Sequence, residues 1–167
     1  MSKNRKKKTA RHDEITSELL QKKDNKMGFY EIISHIYNKS YWKDEFKLSS
    51  IQGLHYEIEI EVILSYNYSI DFLLSIYKSK RIVNTDLITV MILEIKPFKS
   101  IKNISETIRQ IKIYEKYILK SKGYVMDTNV DLIIVSDENP KKEWESLLKY
   151  AEVYFFNIEN QQMNCFE

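Results

Sequence analysis

Nine residues, Leu87 to Ile95, read LITVMILEI: seven apolar side chains, one threonine and one carboxylate, Glu94, next to the end. A run this short, this continuous and this rich in branched residues predicts a strand covered on both faces, which requires a sheet with helices above and below it. Pro97 ends the run, because proline cannot donate to a strand ladder. The constraint sharpens at Glu94. A carboxylate at the end of a buried strand must be paired, protonated or bound to a cation.

The surrounding pattern supplies the layers. Phe29, Ile32, Ile33, Ile36 and Tyr37 recur at helical spacing and predict an amphipathic helix ending near Asn38 to Ser40. From His55 to Leu64 the residues Ile58, Ile60, Val62 and Leu64 alternate with Glu57, Glu59 and Glu61, the period of a strand with one wet face. Ser65-Tyr66-Asn67 supplies a turn into a second strand over Tyr68 to Tyr77, and Lys78 to Asp86 is a polar connection to the buried run. Asn103, with Glu106 three residues on, starts a helix striped by Ile104, Ile108, Ile111 and Ile118, which Gly123 stops. Val130 to Val135 is a further buried strand, Asn139-Pro140 opens a helix, and Val153 to Ile158 is a last short strand. The order α-β-β-β-α-β-α-β describes an α/β fold with a mixed β-sheet flanked by helices.

Of the 167 residues, 43% are hydrophobic and 30% charged, with only three glycines and two prolines, which suits one compact domain and excludes collagen-like and loop-dominated chains. One cysteine, Cys165, leaves no intrachain disulfide and no thiolate zinc cluster. No apolar stretch approaches the roughly 20 residues of a membrane span, so the expectation is a soluble, cytoplasmic protein without a membrane partner. The net charge of +2 conceals an asymmetry: six basic residues and no acid fall in the first eleven positions, leaving 20 basic against 24 acidic residues over the remainder. Residues 1–27 therefore read as a basic flexible arm holding at most a turn or two of helix around Ile15 and Leu19. Its Lys6, Lys7 and Lys8 suit sequence-independent attraction to DNA phosphates. Residues 28–167 read as the folded domain.

Glu94 and Lys96, two apart on one strand, share a face, and Asp71 lies on the adjacent hairpin arm in position to meet them. Two carboxylates and an ammonium at one strand end form a site for a hard divalent cation, with the lysine near a metal-bound water. The plainer alternative is a pair of rim carboxylates salt-bridged to Lys96. Gln110 and Tyr114 share one helix face, off the isoleucine stripe, with Arg109, Lys112 and Lys116 beside them in reach of phosphates. Read alone, Gln110 and Tyr114 are equally an amide and a phenol on an ordinary amphipathic helix. His12, His35 and His55 fall in no ligand or catalytic spacing and read as surface or rim histidines.

The stretches IDFLL and ILEIKP, the hairpin between them and the helix ETIRQIKIYEKY together resemble the PD-(D/E)XK nuclease superfamily, over Glu31 to about Asp137. Ile70 stands where the family often has proline, and the 23 residues from Asp71 to Glu94 make a long gap that a longer hairpin absorbs. The resemblance implies a restriction-endonuclease-like α-β-β-β-α-β core in which Asp71, Glu94 and the backbone carbonyl of Ile95 hold Mg²⁺ or Mn²⁺. It implies that Lys96 orients or deprotonates the attacking water. Gln110-x-x-x-Tyr114 is similar to an element of the RecB-like branch that lies beside the active site and contacts DNA. A further acid often comes from the helix before the first strand, and Glu31 is the candidate, with Glu18 and Glu14 as competitors. Such small cores resemble junction resolvases, restriction enzymes and the end-cleaving endonucleases of mobile elements, which commonly act as homodimers or with a second protein subunit. Two functions follow: a metal-dependent DNA endonuclease, or an inactive nuclease-like subunit that binds DNA or protein within a larger complex.

Overall fold

A computed structural model of the protein describes residues 9–23, 26–39, 54–65, 67–78, 87–121 and 128–164. In chain order these form α1 (Ala10–Leu20), a two-stranded ribbon of β1 (Lys22–Lys23) and β2 (Lys26–Met27), and α2 (Tyr30–Lys39). Then come β3 (His55–Ser65), β4 (Tyr68–Tyr77), β5 (Leu87–Ile95), α3 (Ile104–Ser121), β6 (Val130–Ser136), α4 (Glu145–Ala151), β7 (Val153–Asn157) and β8 (Gln162–Asn164).

Strands β3 to β8 lie in sequence order in one six-stranded sheet. The pairs β3–β4, β4–β5 and β7–β8 are antiparallel, whereas β5–β6 and β6–β7 are parallel, with α3 and α4 as the crossovers. The sheet is therefore mixed, as the element order implies. Two apolar clusters cover its faces. Ile15 and Leu19 of α1 and Ile32, Ile33 and Ile36 of α2 pack on Phe72, Leu74, Met91, Leu93, Ile95 and Val135. On the other face Ile104, Ile111, Tyr114 and Ile118 of α3 and Leu148 of α4 pack on Leu73, Val90, Ile92, Ile134 and Phe155. The fold is a three-layer α/β/α sandwich with β5 and β6 at its centre. Among the described residues no helix is long and apolar enough to cross a membrane.

Four details differ from the sequence reading. Residues 10–23 belong to the fold and not to a flexible arm: Ile15 and Leu19 have 0% exposure, each burial contributing about 2 kcal/mol. Thr9 caps α1, its side chain accepting the His12 N–H at 3.2 Å. Residues 1–8, with Lys6, Lys7 and Lys8, lie outside the described residues, as do the connections over 40–53 and 79–86. Second, the inward alternation expected of β3 breaks. Ile58 and Phe72 face the α1–α2 layer, but Val62 and Ile70 face α3, leaving Ile60 49% exposed. Glu61 sits at the slip with φ 51°, a left-handed conformation that non-glycine residues seldom adopt. Third, Pro140 does not begin a helix. A short 3₁₀ turn over Lys142–Trp144 precedes α4, whose first residue is Glu145. Fourth, β8 extends the sheet beyond the last strand expected.

The docking of α1 depends on a close approach at Gly28, where a Cβ would lie 2.1 Å from the Glu18 carbonyl oxygen and 2.8 Å from Leu19 Cα. Both obstacles are backbone, so the helix end must move to admit a side chain. Gly28→Ala is expected to lower stability by about 1–3 kcal/mol in urea or thermal unfolding; an unchanged midpoint would contradict the docking of α1.

Candidate functional site

Phe72 of β4 pairs with Leu93 of β5, so the next step along each strand brings Asp71 opposite Glu94. The regular ladder ends at Phe72↔Leu93, one residue before this pair, and the two carboxylates meet at the sheet end with Asp71 also contacting α1 and Glu94 also contacting α3. Both carboxylates are buried, Asp71 6% and Glu94 5% exposed. The slip at Glu61 lies on the strand across from Asp71, where the ladder passes from Ile60↔Phe72 to Val62↔Ile70 without an Asp71 pair. Freed from regular pairing, Asp71 reaches across β5, and its Oδ2 accepts the Ile95 N–H at 2.9 Å.

Each carboxylate has its own company. Asp71 Oδ1 lies 3.1 Å from Nε2 of His12, a residue 8% exposed on the first turn of α1. The expectation that His12 is an ordinary rim histidine is corrected: docking α1 carries it to the carboxylate pair. A signal for this exists in the sequence, because His12, Ile15 and Leu19 fall at i, i+3 and i+7 on one helix face. Glu94 Oε1 lies 3.5 Å from Lys96 Nζ, and Gln110 on α3 donates to the same oxygen at 3.4 Å. Gln110 also donates to the Tyr114 hydroxyl, and that ring is buried at 1% exposure. Burial, then the nearby Glu94 charge, pushes the Tyr114 phenol above its ordinary value.

The second oxygen of Glu94, Oε2, is buried and has no hydrogen-bond partner among the described residues. Burial, reinforced by the adjacent Asp71 carboxylate, pushes Glu94 up to about 8, against the opposing pull of Lys96. Near the start of β6 the contrast is plain. Asp131, also buried and pushed up to about 6 by its burial, directs Oδ2 at the Thr89 hydroxyl at 2.7 Å and the Asn129 amide at 3.3 Å. Asp131 is a satisfied structural acid, whereas Glu94 presents an unmet acceptor beside a second carboxylate.

Positive charge would relieve that situation. Mg²⁺ needs only one or two carboxylates, since waters complete its octahedron, and Asp71 and Glu94 fit that requirement. Among the described residues no group of three or more His, Cys, Asp and Glu side chains is arranged around a common metal position. A cation held here would therefore have to draw on the two carboxylates, main-chain oxygens and solvent.

The remaining expected residues are more scattered. Lys96 and Ile95 sit at the end of β5 with the carboxylates. Glu31 is exposed in the first turn of α2, and no contact joins it to Asp71 or Glu94 among the described residues. Glu14 and Glu18 turn to Arg11, at 2.8 and 4.0 Å. Arg109 is exposed and Lys112 half-buried on α3. Glu57, Glu59 and Glu61 are exposed, as the wet-face reading requires, and His35 reaches the Gln161 carbonyl at 3.0 Å. Compared with protein-family models, with curated proteins and with solved structures, the chain matches none.

The elevated Glu94 has a measurable consequence. A carboxyl whose folded value exceeds its unfolded one supports folding in acid and loses that contribution as pH rises from about 4.5 towards 8. Glu94→Gln carries no proton to lose. In EDTA it is expected to unfold at a higher temperature than the parent, by on the order of 1 kcal/mol, with the gap widening between about pH 5 and pH 8. A variant no more stable than the parent across that range would mean that Glu94 is compensated as an anion.

Proposed function

We propose that the chain is a Mg²⁺- or Mn²⁺-dependent DNA endonuclease of the cytoplasm, built on a restriction-endonuclease-like core of the PD-(D/E)XK type. The observation that carries this reading is the placement of Asp71 opposite Glu94 on adjacent strands, with Lys96 alongside and Glu94 Oε2 buried without a partner. The α-β-β-β-α-β succession from α2 to β6 supports it.

In this reading Asp71, Glu94 and the Ile95 carbonyl hold the cation. The ion supplies a Lewis acid for a phosphate oxygen and a lowered pKa for the attacking water. Lys96, 3.5 Å from Glu94 Oε1, would orient the attacking water and place positive charge near the phosphate in the transition state. Gln110 restrains Glu94 through Oε1, and the buried Tyr114 fixes Gln110 in turn. The Ile95 N–H and His12 hold Asp71 in place. Arg109, Lys112 and the basic residues Lys6, Lys7 and Lys8 supply cations for the DNA backbone. Cutting both strands calls for two such sites, which a homodimer or a second subunit provides.

One observation favours a second reading, a nuclease-like subunit that binds DNA or protein without cutting. Both Asp71 oxygens already have protein partners, and no third acid or histidine joins the pair in a metal-holding group among the described residues. The discriminating experiment incubates the protein with plasmid, linear, single-stranded and four-way-junction DNA in Mg²⁺, Mn²⁺ or EDTA. Metal-dependent cleavage is expected, with Asp71→Ala and Lys96→Ala each reducing the rate by about 100-fold or more. Parent and variants equally inert on every substrate, with DNA still bound, would establish the non-cutting subunit instead.

A further inference from the structure

Arg11 belongs by sequence to the basic N-terminal run, yet each of its three guanidinium nitrogens is bonded to a carboxylate of the fold. Nε donates to Asp137 Oδ2 at 3.0 Å, Nη1 to Glu14 Oε2 at 2.8 Å, and Nη2 to Glu159. Hydrogen bonds to Glu14, then Asp137 and Glu159, raise its pKa still further above the ordinary arginine value. Asp137 follows β6 and Glu159 follows β7, so one side chain joins α1 to two loops at the strand ends nearest the carboxylate pair.

The network continues on both sides. Asp137 Oδ1 accepts the Phe98 N–H at 2.8 Å, two residues after Lys96. Although partial burial pushes the Asp137 carboxyl up, the Phe98 N–H and Arg11 hold it below its usual range. On the helix side, the residue next to Arg11 is His12, 3.1 Å from Asp71. A chain of contacts thus runs from the segment after Lys96, through Asp137 and Arg11, into the first turn of α1 and back to Asp71. The two ends of this chain are the two strands that carry the candidate site.

The geometry points to Arg11 as a positioning residue: its forked guanidinium clamps the first turn of α1 to the loops after β6 and β7 and thereby holds His12 against Asp71. The functional consequence rests on the proposed endonuclease reading, in which Asp71 holds the cation. Ile15 and Leu19 hold the far end of α1 by apolar burial, so the near end is the part that depends on the clamp. A lysine keeps the charge but cannot span Asp137 and Glu159 with separate, fixed N–H donors.

The test compares the full-length protein with Arg11→Lys and Arg11→Gln, using amide hydrogen exchange read by mass spectrometry and, in parallel, cleavage kinetics in Mn²⁺. In both variants the amides of α1 and of Ile95 are expected to exchange about 10-fold faster, while those of β6 and β7 keep their protection. The kcat should fall by about 10-fold with KM changed less than about 2-fold, since a displaced Asp71 weakens the chemical step and not DNA capture. Unchanged protection of α1 and Ile95 in Arg11→Gln would overturn the proposal. So would full recovery in Arg11→Lys, which would leave charge alone as the requirement, or loss of protection throughout the sheet, which would make Arg11 a residue of general stability. If the parent does not cleave yet the local exchange pattern appears, the endonuclease reading fails and the clamp stands. If the parent cleaves and both variants match it in exchange and rate, the clamp fails and the endonuclease reading stands.

Discussion

Two carboxylates buried side by side at the end of a β-hairpin are the condition to which the rest of the structure answers. Like charges in a place of low dielectric repel and cannot both be ionised without compensation. Each surrounding element contributes some. The β5 main chain gives Asp71 the Ile95 N–H, α1 brings His12, and α3 brings Gln110 to the Glu94 oxygen that Lys96 also approaches. Among the described residues none of them reaches Glu94 Oε2. In the proposed endonuclease reading, a bound cation would supply the charge that this pair lacks; without one, the raised pKa of Glu94 leaves it protonated near neutral pH.

The cost of this arrangement is carried by an otherwise ordinary core. Both faces of the sheet are closed by branched aliphatic and aromatic side chains, and the other strongly buried acid with a raised pKa, Asp131, is tied to Thr89 and Asn129. Near Asp71 the backbone is irregular, with left-handed Glu61, the exposed Ile60 and the slip in alternation along β3 and β4, although Glu152 and Gln161 also take positive φ elsewhere. Glu94 Oε2 is one of three buried polar atoms without a hydrogen-bond partner among the described residues, with Ser136 Oγ and Asn164 Nδ2, and the only one of the three beside a second buried carboxylate.

Much of this was legible in the chain. LITVMILEI announces a central strand because no edge strand or amphipathic helix tolerates so unbroken an apolar run, and Glu94 stands out against it. The hairpin brings Asp71 to the strand end beside Glu94, but not by period-two spacing, since the alternation of β4 breaks at Asp71 between Ile70 and Phe72. Gln110 falls off the isoleucine stripe of α3 as expected, but Tyr114 does not: it is buried within that stripe between Ile111 and Ile118, and reaches the site only through its hydrogen bond from Gln110. What escaped depended on tertiary contacts. The charge density of residues 1–23 masked a helix docked by Ile15, Leu19, the close approach at Gly28 and the Arg11 contacts, so Arg11 reads as an arm residue and His12 as a surface one. The slip at Glu61 is a backbone event with no glycine to announce it. Pro140 suggested a helix start, but the chain makes a 3₁₀ turn first and buries Trp144 against Phe98 and Phe155.

In the proposed reading Asp71 and Glu94 form one cation site, completed by a metal and not by a protein side chain. Crystals of the protein grown with Mn²⁺, with anomalous differences recorded at the manganese edge, test it most directly. The account predicts one strong peak bonded to an Asp71 oxygen and to Glu94 Oε2, and its loss in Glu94→Gln. Density showing Glu94 Oε2 hydrogen-bonded to a protein group, with no anomalous peak between the two carboxylates at saturating Mn²⁺, would contradict it.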